Sequence, residues 1–274
     1  MPVATTYEDP RAHAVRERYL ALFGGEALPV PVEAIAEDLL GLRVEESWDI
    51  DCSGMLLPAE RRIVLNANER VGGRNDPPLR RFRFTIAHEI GHWICHCLEG
   101  RAPSPEPSYC RPVDLTDAAD RTLEREANVF AAELLMPEPF FRPHCETGNP
   151  SLKIIEVLAD EFRASLTATA IRYVEFSSDR CAVVFGRRGR IWYNRHSTSF
   201  PYWLLRLGEL HEFTYARDCL NGRSVPDRMS QVSATGWLPG LRRHNERTVW
   251  EQSRLISRRE GITLSFLWLP DDDD

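Results

Sequence analysis

His88 and His92 stand four residues apart with Glu89 between them, in the run Phe84-Thr85-Ile86-Ala87-His88-Glu89-Ile90-Gly91-His92-Trp93-Ile94-Cys95-His96. On an α-helix, residues four apart lie one turn apart on the same face. Two imidazoles placed there can hold one metal ion. Glu89 lies about 100° further round the helix. Its carboxylate therefore reaches a water on that ion rather than the ion itself. Water on zinc beside a carboxylate is the machinery for cleaving a peptide bond.

Such a centre needs three protein ligands and an open fourth position. The third must come from a later element, and the segment 114–135 reads as a long helix ended by Met136-Pro137. Thr116 or Asp117 could cap it. Glu124 and Glu126 are the main candidates. Glu124 is preferred because Asn128 lies one turn beyond it and could orient a ligand histidine through its free ring nitrogen. Glu126 points about 200° away from Glu124, so both cannot face one metal. Asp120, one turn before Glu124, is the reserve. Glu89 is then the general base, taking a proton from water and passing it to the leaving amine. Tyr173, His144, His196 and His211 are candidates for a further hydrogen bond to the oxyanion. His96 reads as a packing residue or a partner of a ligand, not as a ligand. The bland alternative, two core histidines beside a surface glutamate, does not account for the helix that follows.

The elements that must position these residues come before the motif. Segment 10–22 reads as an amphipathic helix ended by Gly24-Gly25, and 33–40 as a second helix closed by Gly41. Strand signals follow at 42–45, 53–57 and 62–66, the last two close enough for a hairpin. A small sheet laid on the metal-binding helix is the zincin plan. Its edge strand, near Met55 or Val64, could take an extended peptide by strand addition. Residues 70–83 read as a polar loop, with Arg80, Arg81 and Arg83 a solvated basic turn. The motif helix runs from about 80 to 97, and the proline-rich stretch 100–112 is a linker or surface loop.

Beyond the second long helix, 154–176 resembles a helix-turn-helix, with the turn at Arg163-Ala164-Ser165. Its second helix offers only Arg172 as a cation, which disfavours direct DNA binding. From Cys181 the periodicity changes to strands: a hairpin over 181–193, then 248–253 and 262–269. The fold class expected is α+β. A zincin-like domain with N-terminal helices occupies 1–150, a helix-turn-helix-like segment 151–178, and a smaller α+β domain, sensory or regulatory in character, 179–274.

The totals agree with a soluble globular protein: 274 residues, 43% hydrophobic and 27% charged. A net charge of −7 argues against non-specific nucleic-acid binding by the whole chain. Seven cysteines at scattered spacing, with no Cys-x-x-Cys pair, suit unpaired thiols in a reducing cytoplasm. The first residues lack an apolar signal core, and no run approaches the roughly 18 apolar residues of a membrane span. A cytoplasmic location with no membrane partner is expected.

Two blocks together carry a resemblance. Arg81-Phe82-Arg83-Phe84-Thr85-Ile86-Ala87-His88-Glu89-Ile90-Gly91-His92, followed by Glu124-x-x-Ala127-Asn128-x-Phe130-Ala131-Ala132-Glu133-Leu134-Leu135-Met136-Pro137, resembles the ImmA/IrrE family of zinc metallopeptidases. The resemblance covers about residues 28 to 176. It implies a gluzincin-like peptidase with zinc on His88, His92 and Glu124 and Glu89 as base; manganese is the alternative ion. It further implies a helix-turn-helix repressor of the Xre type as protein substrate. Cleavage would release stress-response or mobile-element genes. Longer members add a sensor-like C-terminal domain related to GAF folds.

Overall fold

The computed structural model describes residues 9–25, 28–71, 78–98, 108–110, 121–146, 150–201, 203, 205–240 and 248–270. The fold is mixed α and β, as expected, and the chain divides into two compact units. The first is Met1–Glu138 with Leu158–Ser165; the second is Pro139–Val157 with Leu166–Asp274.

In the first unit, helix α1 (Pro10–Phe23) starts on Asp9, whose side chain accepts from the Arg11 amide. A short helix α2 (Val32–Ala34) runs on as a π-helical turn, Ile35–Leu39, and Gly41 follows at φ 64. Three strands come next: β1 (Arg43–Ser47), β2 (Gly54–Leu57) and β3 (Arg62–Asn66). β2 and β3 form the anticipated antiparallel hairpin, with Met55 opposite Val64. β2 alternates buried and half-buried residues, so Gly54 and Leu56 face inward.

The motif lies on α3 (Pro78–His92), which continues as a π-helical turn, Trp93–Cys97. Strand β4 (Ser108–Cys110) then pairs with β2, and helix α4 (Arg121–Leu135) follows. The sheet order is β1-β3-β2-β4. This corrects the expected peptide-binding edge. β2 and β3 are interior strands, so neither Met55 nor Val64 offers free backbone groups; among the described residues the edges are β1 and β4. A three-residue strand inside a proline-rich stretch carries too little pattern to be read beforehand. The proposed caps of α4, Thr116 and Asp117, and the reserve ligand Asp120 lie outside the described residues.

The three arginines do not form a solvated turn. They occupy the first turns of α3, where each has a partner in the same unit. Arg80 pairs with Asp160 and Arg81 with Glu69. Arg83 is buried and donates to Glu33 (3.1 Å) and to the Val30 carbonyl (2.6 Å). Its guanidinium ties α3 to the start of α2.

The second unit opens with α5 (Glu138–Phe141), most of which belongs to it, and the first half of α6 (Leu152–Glu161). Its main helix is α7 (Leu166–Phe176), reached through a left-handed turn at Arg163, φ 47. Two consecutive helices joined by a short turn are therefore present in 152–176. Arg172, however, is buried with its guanidinium 4.3 Å from the centre of the Phe176 ring, so it serves packing and not a phosphate or a base edge. The sheet holds β5 (Arg180–Arg187), β6 (Arg190–His196), β7 (Ser230–Ser233), β8 (Thr248–Ser257) and β9 (Ile262–Leu269). All its pairings are antiparallel, in the order β6-β5-β9-β8-β7. Helices α8 (Tyr215–Leu220) and α9 (Ala234–Trp237) are anchored to it by buried Glu251. That carboxylate accepts from the Ala216 amide (2.8 Å), Trp237 Nε1 (2.7 Å) and Ser253 Oγ (2.6 Å).

In the first unit, the contact that matters most for the motif is between α3 and α4. Ala127, Phe130, Ala131 and Leu134 of α4 are fully buried, and Ile86, Ala87 and Ile90 of α3 are buried almost as completely. Gly91 permits this approach: a Cβ there would sit 3.0 Å from Ala127 Cα and 3.1 Å from the Ala127 carbonyl oxygen. Replacing a helical glycine by alanine gains about 1 kcal/mol in propensity. Overpacking against backbone costs about 1–3 kcal/mol. Gly91→Ala should therefore lower stability by about 1 kcal/mol in denaturant titration and weaken metal binding, because α4 must move away. Unchanged metal affinity together with higher stability would show that the helices have room to spare.

Candidate metal centre

Helix α3 presents His88 and His92 one turn apart, and both rings are buried. Their Nε2 atoms lie 3.0 Å from each other. Glu124, in the first turn of α4, places Oε2 3.2 Å from His88 Nε2 and Oε1 3.2 Å from His92 Nε2. These three residues form the one set, among the described residues, able to offer three donor atoms to a single ion. Glu126, the rival candidate, contacts His96 instead.

A tetrahedral zinc ion with bonds of about 2.0–2.1 Å sets its donor atoms about 3.3 Å apart. The two nitrogens lie 3.0 Å apart, each is 3.2 Å from a different oxygen of Glu124, and one oxygen with both nitrogens falls within 4.8 Å, a spread that such an ion can draw together. The nitrogens are also in the right state. Asn128 Oδ1 lies 3.1 Å from His88 Nδ1 and can only accept, which puts the ring proton on Nδ1 and leaves a lone pair on Nε2. The role suggested for Asn128, orienting a ligand histidine, is thus geometrically available to it.

Glu89 supplies a second sign of fit. It is completely buried, and neither carboxylate oxygen makes a hydrogen bond of full geometry, although the Leu56 backbone approaches it. A buried carboxylate without partners is costly and rare. Burial pushes its pKa up to about 8; His88 and the nearby backbone of Leu56 oppose that rise, and Glu124 adds to it. A cation and its water would provide the missing partner and draw Glu89 towards its charged form.

Burial alone would raise the Glu124 carboxyl, but the two imidazoles beside it overcome this and hold it down to about 2. Burial lowers the pKa of His92, with Glu124 pulling the other way. Glu124 is thus drawn towards its charged form and His92 towards neutrality, the directions a metal requires.

The four residues considered for the oxyanion, Tyr173, His144, His196 and His211, all belong to the second unit. Tyr173 is fully buried with its ring against Phe266, and His211 packs on Phe213. His96, read from sequence as a packing residue or a partner of a ligand, does contact His92; the inward-facing Leu56 of β2 beside Glu89 was assigned no role from sequence. The His96 reading has its signal in the four-residue spacing; the place of Leu56 depends on how β2 lies against α3.

A pH dependence follows from Glu89. Its folded-state pKa lies above the ordinary value of 4.5, so it costs no stability below that pH and progressively more as pH rises towards 8. In the metal-free protein, Glu89→Gln should raise the melting temperature at pH 8 and have little effect near pH 5. The gain should be on the order of a few kcal/mol at the upper end. Parallel pH profiles for the two proteins would contradict this.

Comparison with known proteins places this geometry. No curated protein matches the chain. A Mycobacterium tuberculosis transcriptional regulator of known structure aligns with a TM-score of 0.60 at 13% identity, over 96% of this chain and 77% of that one. At that identity the likeness is one of fold. The family model for the IrrE N-terminal-like domain, Peptidase_M78, matches residues 51–173, which span both motif helices. Residues 51–173 of this chain are therefore similar to the IrrE N-terminal-like domain, a domain of zincin-like fold.

Proposed function

We propose that the chain is a zinc-dependent endopeptidase that cuts a helix-turn-helix repressor of the Xre type, releasing stress-response or mobile-element genes. The convergence of His88, His92 and Glu124 beside the fully buried, under-satisfied Glu89 carries the peptidase half of this reading. The repressor half rests on family likeness alone.

The ion, zinc or alternatively manganese, would polarise the scissile carbonyl and acidify a water at its open position. Glu89 accepts that water's proton on a carboxylate oxygen and later delivers it to the departing amine nitrogen. Asn128, 3.1 Å from His88 Nδ1, would fix the ring so that Nε2 is free to hold the ion. Burial of His88, Glu89 and His92 keeps bulk water from competing for their polar atoms. A substrate adding as a strand would pair with an edge strand, β1 or β4, since β2 and β3 are enclosed.

The decisive experiment incubates the zinc-loaded protein with the helix-turn-helix repressor encoded beside its gene and maps the cut by mass spectrometry. Wild type should produce one defined cleavage. Glu89→Gln should bind zinc with unchanged stoichiometry and cleave at least about 100-fold more slowly. Undiminished cleavage by that variant sinks the assignment of Glu89. An intact repressor, with other peptides cut, sinks the choice of substrate.

A further inference from the structure

The two ligand histidines are not held in the same way. His88 is oriented by an amide. His92 faces a second imidazole: its Nδ1 lies 3.0 Å from His96 Nδ1, with ring centroids 5.1 Å apart. Beyond it, His96 Nε2 lies 3.3 Å from Glu126 Oε2. We propose that His96 and Glu126 are positioning residues that fix the His92 ring and so set the affinity of the metal centre. This rests on reading His88, His92 and Glu124 as metal ligands.

The protons can be placed by elimination. To bind a metal through Nε2, neutral His92 must carry its single ring proton on Nδ1. That N–H can then donate only to a bare Nδ1 on His96. Neutral His96 therefore carries its own proton on Nε2, which is the nitrogen facing the Glu126 carboxylate. One arrangement satisfies both contacts with both rings neutral: His92 donates to His96, and His96 donates to Glu126. Each bond fixes the tautomer of the ring before it, and the chain ends on an acceptor that cannot donate while ionised.

The backbone agrees with this reading. His96 stands on the π-helical turn Trp93–Cys97, closed by the Leu98 amide on the Trp93 carbonyl at 3.1 Å. Such widened turns recur at functional sites because they change which face a side chain occupies. The bland reading of His96 and Glu126 is a half-exposed ion pair of little consequence, since their side chains are 12% and 33% exposed. That reading leaves the short nitrogen–nitrogen contact with His92 unexplained. It also makes no demand on the tautomer of His92.

The test measures zinc affinity of the full chain by competition with a chromophoric chelator, alongside melting of the metal-free protein. His96→Ala and Glu126→Ala should each weaken zinc binding about 10-fold or more, with metal-free melting unchanged. Glu126→Gln, which keeps an acceptor oxygen, should recover most of the affinity. The cobalt-loaded protein should show an altered visible spectrum in the alanine variants and a near-native one in Glu126→Gln. Equal affinities across the series overturn the proposal. So does a loss of affinity that tracks a matching loss of metal-free stability, since a packing role predicts that pattern. Wild type that binds no zinc would instead overturn the metal reading beneath it.

Discussion

Two imidazole nitrogens 3.0 Å apart meet one carboxylate, each nitrogen 3.2 Å from one of its oxygens, inside a largely buried site. Without a cation or a shared proton between them, such an arrangement is repulsive, and low local polarity makes the repulsion worse. The surrounding architecture makes sense as the means of holding that convergence. Helix periodicity stacks two of the donors. A glycine crossing brings the second helix close enough to supply the third. The β2–β3 hairpin lies over the same helix, with Gly54 pressed against Thr85 and Leu56 beside Glu89.

The site was legible in the sequence to the extent that it depends on local geometry. His88, Glu89 and His92 follow from a helical repeat alone. Glu124 could be ranked above Glu126 because Asn128 sits one turn beyond it on the same helix, and the structure brings Glu124 and Asn128 to the two sides of His88. The hairpin and both motif helices could also be read, since each is a run of ordinary length with a clear period.

What was not legible depends on contacts between segments distant in the chain. β4 is three residues long and acquires strand character only by pairing with β2, and that pairing moved the sheet edge away from Met55 and Val64. The arginines ahead of the motif look like a solvated turn until Glu33, Glu69 and Asp160 are seen to meet them. The link from His92 through His96 to Glu126 needs a π-helical turn on one helix and a particular rotation of another. In 152–176 the two helices were visible but the burial of Arg172 was not, because a cation on a short helix is exposed by default.

The central claim is that one ion is held by two histidines and a carboxylate. X-ray absorption at the zinc edge of the zinc-loaded protein tests it most directly. The expected spectrum has only nitrogen and oxygen neighbours at about 2.0–2.1 Å, with the outer scattering of two imidazoles. Glu124→Ala should alter that first coordination sphere. A sulfur neighbour at about 2.3 Å, or a spectrum unchanged by Glu124→Ala, would contradict the account.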